Sequence, residues 1–220
     1  MRKVFEIGGL VAAAVLIAFG VATIIMGVNG RNTVASSLKT EQITGSPDMT
    51  PAGIKAAATS AKLDLTTISL PTCSVAGVSV DTGARARCFA QYMQIHALEA
   101  TGGFVYAQMG QFQAKPGTPK SELTPDGATS NKEFAVLDPK TQQPVANGAR
   151  NVWVTETALT TALNTSFMAA QLGLFAIVVG IALLLSGFGF GILALAGALR
   201  TREIQEKTEP SRVTQPVIAG

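Results

Sequence analysis

The chain has 220 residues, 47% of them apolar, with two cysteines, one histidine and a formal net charge of +3. Residues 30–168 carry eleven Lys or Arg against ten Asp or Glu, a net of +1 without a basic stripe, which excludes a nucleic-acid surface. One histidine per chain also excludes a 2-His-1-carboxylate iron site and a His₃ zinc site, so no metal and no cofactor is expected.

In chain order, residues 1–6 form a short N-terminus with Arg2 and Lys3, and Ile7 to Val28 form an apolar run of 22 residues. As a helix this run measures about 33 Å against a hydrocarbon core of about 30 Å. A signal-peptide apolar region spans only about 7–15 residues, and no A-x-A site follows, so the run reads as an uncleaved anchor. Asn29, Gly30 and Asn32 then break the pattern. Residues 29–168 are assigned to one extracytoplasmic α+β domain, long enough for its own core.

Within that domain Thr50-Pro51 reads as an N-cap with proline at N1, opening a helix to about Lys62. Leu65–Leu70 and Ser74–Val80 are rich in β-branched residues and read as strands, the second interrupted at Gly77. Asp81-Thr82 caps a helix from about Ala84 to Thr101, stopped by Gly102-Gly103. Phe89, Tyr92, Met93, His96 and Ala100 form one amphipathic face of it. Phe104–Met109 is a predicted strand, 113–132 a Pro/Gly/Ser/Thr-rich loop, Glu133–Leu137 a strand entering a turn, and Val152-Trp153-Val154 a last strand. From Thr155 the periodicity becomes helical and runs without a breaker into the second apolar stretch.

That stretch, Leu172 to Leu199, holds 28 residues without a charge. The second span is placed at 169–199, continuous with a domain helix from about 155. Its apolar part would be about 42 Å long, about 12 Å more than the core, and tilt alone would have to reach about 44°. Its outer end is therefore expected to pack against the domain. Arg200, Arg202, Lys207 and Arg212 follow it, whereas no Lys or Arg lies between Arg150 and Arg200. The positive-inside rule puts both termini in the cytoplasm, opposed only by Arg31 and Lys39. Residues 200–220 read as a disordered tail.

Cys73 and Cys88 both fall in the outer domain, where two thiols pair in an oxidising compartment; a disulfide between them is expected. His96 has Tyr92 and Glu99 within helical reach. A lone histidine on an amphipathic face is ordinarily a packed residue, and no G-x-S-x-G accompanies it, so no catalytic residue is assigned. Gly187 to Gly191 lies inside the apolar run and cannot be a phosphate loop. Small residues recur every seven positions, at Ala13, Gly20 and Gly27 in the first span and at Gly173, Gly180, Gly187 and Ala194 in the second. A seven-residue step returns to nearly the same helix face, so each span carries a ridge suited to close packing in lipid. The ridges can pair with each other or serve a homo-oligomer; Gly189, Gly191 and Gly197 lie off the second ridge.

The stretches TCSVAGVSVDTGARARCFAQYMQIHALEATGG and NGARNVWVTETALTTALNTS resemble a group of actinobacterial two-span membrane proteins of unknown function. The resemblance covers most of the chain and implies a mycobacterial-type envelope. Members sometimes carry an automatic label as an aromatic ring-opening dioxygenase, which one histidine and no iron motif do not support.

The reading is therefore a non-enzymatic envelope protein in the plasma membrane. It is a structural or interaction module whose partners are the lipid bilayer and either further copies or other membrane proteins. The alternative is an oligomeric channel or a transporter accessory subunit, against which the spans offer only Thr23 and Ser186 as mid-membrane polar groups. A third reading is an outer-surface hydrolase using His96.

Overall fold

A computed structural model describes residues 2–196; the expected tail 200–220, Gly197 and the last residues of the second span lie outside the described residues. Four α-helices follow one another: α1 Arg2–Thr40, α2 Pro51–Ser60, α3 Gly83–Ala100 and α4 Gly148–Leu195. Three short 3₁₀ turns, Tyr106–Gln108, Lys120–Glu122 and Lys132–Phe134, lie between α3 and α4. The chain divides into two compact units, Met1–Ile25 with Ala176–Gly220, and Met26–Phe175.

The mixed α+β domain expected from the sequence is not formed: the described residues contain helices, turns and isolated bridges, and no β-strand. Each predicted strand has its own reason for failing. Ser74–Val80 folds through a turn in which Val78 N donates to Val75 O, and Val75 and Val80 are buried in the core. It pairs with 43–49 only through single bridges, Thr44 with Ser79 and Gly45 with Ala76. Gly77, at φ +66°, breaks the ladder between them. Leu65–Leu70 finds no pairing edge; Leu65, Ile68 and Leu70 pack directly on the core. Phe104–Met109 winds into the first 3₁₀ turn. Glu133–Leu137 begins in the third 3₁₀ turn and then makes two bridges, Ala135 with Ala114 and Leu137 with Pro144. Val152-Trp153-Val154 lies inside α4, which starts at Gly148, earlier than the expected position near 155. β-branched composition records local extension preference, and tertiary packing overrides it here.

α1 likewise continues past Asn29, Gly30 and Asn32, residues of poor helix propensity. Burial of Leu38, with Val34 packed on the same core, favours the continuation. The helices α2 and α3 are capped as their sequences suggest: Thr50 Oγ1 accepts from Gly53 N, and Thr82 Oγ1 accepts from Arg85 N. The core of the second unit gathers Ile54 and Ala58 of α2, Phe89, Tyr92 and Ile95 of α3, Leu163 of α4, and Val75 and Val80 of the intervening segment.

The stretch 110–147 is held by one polar hub. Asp126 Oδ1 accepts from the Thr124 hydroxyl at 2.6 Å and from the backbone N–H groups of Gly110 and Ala128, both at 3.2 Å. Asn147 Nδ2 donates to Asp126 Oδ2 at 2.7 Å and to Gly110 O at 2.9 Å. Asn147 Oδ1 accepts from Ala149 N, so the same side chain caps α4.

Candidate functional site

In the second unit α3 lies against α4. Gly83 permits the approach, since a Cβ there would stand 2.7 Å from the Ala170 Cβ. The Arg87 guanidinium sits 4.9 Å from the centre of the Phe167 ring. Beside this contact the two helices carry polar stripes at helical spacing: Gln91 and Gln94 on α3, and Thr157, Thr160 and Asn164 on α4. These five side chains, with Ala90, Trp153 and Glu156, line a groove of about 260 Å³. Trp153 and Gln94 also line a cleft of about 720 Å³ that extends over Lys62–Leu63, Thr67–Ser69 and Gly102–Gly103. Trp153, partly buried against the core, stands where groove and cleft meet.

Glu156 is only 6% exposed. Burial raises its carboxyl pKa above the usual range, opposed by the hydroxyls of Thr160 and Thr157. It borders a second, more apolar groove of about 480 Å³, shared with Met93, His96, Ala97, Val152 and Leu159.

His96 Nε2 lies 3.1 Å from Asp48 Oδ2, an ion pair when the imidazole is protonated. Nε2 is sealed from solvent and has no well-aligned hydrogen-bond acceptor. The Ser46 hydroxyl donates to Asp48 Oδ1 and is the main cause that lowers the Asp48 pKa. The order is thus hydroxyl, carboxylate, imidazole. In a Ser-His-Asp relay the imidazole must stand between the other two, so His96 is not placed to take a proton from Ser46. Among the described residues no three His, Cys, Asp or Glu side chains come together as a metal-ligand set.

Cys73 and Cys88 form a disulfide across 15 residues, joining the segment before α3 to its second turn. Tyr92, one turn further along α3, is fully buried and donates its hydroxyl to Cys73 O at 2.5 Å. Burial raises the Tyr92 pKa.

The small residues of the spans sit at helix contacts. In the first unit a Cβ on Gly20 would meet Gly180 O and Leu184 Cγ at 2.9 Å. One on Gly187 would meet Ile17 Cγ1 at 2.8 Å and Ala13 O at 3.1 Å. Ala13 and Ala194 are buried. In the second unit a Cβ on Gly173 would stand 2.9 Å from Gly27 O. The polar groove, by contrast, has no motif in the sequence. Its signal is the step Trp153, Thr157, Thr160, Asn164, which the β-branched neighbours of Trp153 mask as an extended segment.

A two-helix apolar unit and a disulfide-tied helical unit define the class to which these surfaces belong. No protein-family model, curated protein or solved structure matches the chain.

Proposed function

We propose that this is a two-pass plasma-membrane protein with both termini cytoplasmic, whose extracytoplasmic domain acts as an interaction module rather than as an enzyme. The observation that carries the reading is the surface of the two long helices. In their most apolar stretches only 17% and 11% of residues are buried, where the core helix of a soluble protein would be mostly buried. Phe19, Phe175 and Leu185 are each about two-thirds exposed, an apolar surface that lipid stabilises and water does not. The disulfide suits an oxidising outer compartment, and the positive charges at both ends of the chain suit cytoplasmic termini. The resemblance at 72–103 and 147–166 suggests an actinobacterial envelope as the setting.

The channel reading has less behind it. The Thr23 hydroxyl turns back to Phe19 O of its own helix at 2.7 Å, leaving little polar lining. Because the small-residue ridges face each other within one chain, a homo-oligomer would use another face of the spans. Gly189, with open space in front of its Cα, marks such a face. Alkaline-phosphatase fusions test the topology: activity is expected for a fusion at Gly127 and silence for one after Arg212. The reverse pattern overturns it.

A further inference from the structure

Neither membrane anchoring nor helix packing accounts for the polar groove beside Trp153. Five neutral side chains, Gln91, Gln94, Thr157, Thr160 and Asn164, supply most of its hydrogen-bonding groups, and Glu156 is its one ionisable residue. Among the described residues the side-chain amides of Gln94 and Asn164 have no hydrogen-bond partner within the chain. A phosphate-bearing ligand would want cations here, and the groove has none. A hydrophobic peptide would want apolar pockets, and the lining is mostly amides and hydroxyls. A polyol fits both constraints. Vicinal hydroxyls donate and accept side by side, as a carboxamide does. The C–H face of a sugar ring is a flat apolar surface that an indole can cover, and the chain's one tryptophan lines the groove. From Trp153 to Asn164 the helix rises about 16 Å, and the adjoining cleft lengthens the path beyond Trp153.

We propose that this groove binds a neutral oligosaccharide, with a pyranose ring stacked on Trp153 and its hydroxyls hydrogen-bonded by Gln94 and Asn164. Placing that saccharide in the cell envelope rests on the topology proposed above; the binding itself does not. The two therefore fail separately: a fusion result against the topology leaves a binding result intact.

The test uses the full chain in lipid nanodiscs or an amine-oxide detergent, because alkyl maltosides and glucosides would themselves present sugar to the groove. Cellotetraose and maltotetraose are titrated at millimolar concentration, read by calorimetry and by the emission of Trp153. Saturable binding of either, with a change in emission, is the expected result. The double variant Gln94→Ala with Asn164→Ala alters two exposed side chains and should keep the wild-type melting temperature. Each lost neutral hydrogen bond should weaken binding about fivefold. Trp153→Phe, read by calorimetry, should weaken binding while keeping the helical spectrum. No saturable binding of either tetrasaccharide, or equal binding by the folded double variant, overturns the proposal.

Discussion

A Cβ placed on Gly20 would stand 2.9 Å from the carbonyl oxygen of Gly180, and one placed on Gly180 would stand 2.8 Å from the carbonyl oxygen of Gly20. The contact is reciprocal, backbone against backbone, and each glycine is the condition for the other. In the lipid setting proposed above there would be no hydrophobic force between helices, and dispersion across such close contacts would hold the pair together. Gly20→Leu or Gly180→Leu should therefore lower the melting temperature of the detergent-solubilised protein. Gly189→Leu, where nothing lies within 4 Å, should leave it nearly unchanged. Equal effects at the three sites would show that this contact does not hold the helices.

The same geometry allows a direct distance measurement. A Cβ on Gly191 would lie 3.7 Å from the Ala13 Cβ, inside the range that a disulfide bridges. Ala13→Cys with Gly191→Cys should oxidise within one chain and run as a compacted monomer on a non-reducing gel. Cross-linked dimers in its place would assign the contact to a second copy.

The native disulfide and Tyr92 act on the same segment. Closing a loop of about fifteen residues is worth about 3 kcal/mol in the chain-entropy model, so Cys73→Ser with Cys88→Ser should cost near that amount. Tyr92→Phe removes the hydroxyl that holds Cys73 O and should cost about 1 kcal/mol. The two changes share a partner, so their combined effect should fall short of their sum. Thermal unfolding of the four proteins checks this, with strict additivity the outcome that counts against a shared role.

Glu156 gives a pH signature of opposite sign to that of most carboxylates. Its pKa is raised in the folded chain, with desolvation the leading cause, so the folded state holds the proton more tightly than the unfolded one. Stability from this group is fully present below the unfolded value of 4.5 and is lost as pH rises through the folded pKa. Glu156→Gln should raise the melting temperature at neutral pH relative to wild type. It should also flatten the decline above the unfolded value. A wild-type profile that rises over that interval, with the variant unable to change it, would refute the assignment.

Much of the helical frame is legible in the sequence because charge-free runs and caps act locally. The two apolar spans, the Thr50-Pro51 start and the Thr82 cap need no tertiary information. The expected strands do not form because Val75 and Val80 are β-branched residues packed on a helical core and Val152 is an exposed β-branched residue of α4, and propensity does not say what such a segment will meet. The groove beside Trp153 depends on two helices arriving side by side, which no single periodicity announces. The Ser46–Asp48–His96 order depends on a loop residue reaching α3 across 48 positions, a contact with no local signature.

Asn147 is the position where one substitution should disturb the most structure. Its amide nitrogen serves both Gly110 O and Asp126 Oδ2, its amide oxygen caps α4, and the residue is only 8% exposed. Asn147→Ala strands these groups in a poorly solvated site and should cost roughly 3 kcal/mol. For Asp126, burial alone would raise the pKa. Hydrogen bonds from Thr124, Asn147, Ala128 N and Gly110 N outweigh it and leave the value lowered. Asp126 therefore contributes stability above the unfolded value of 3.8, lost as pH falls through the folded pKa. Asn147→Asp separates the two roles of the side chain. It keeps an oxygen for the helix cap but sets a second carboxylate against Asp126 Oδ2, where the amide donated. At neutral pH it should be less stable than Asn147→Ala, because two carboxylates at hydrogen-bond distance cannot both ionise cheaply. Acidification lets the pair share a proton, so the gap between the two variants should narrow as pH falls toward the carboxylate range. Melting curves of both variants from neutral to acid pH measure that gap. A gap that stays constant would mean that Asn147 acts only as a cap and that Asp126 is held by its other donors.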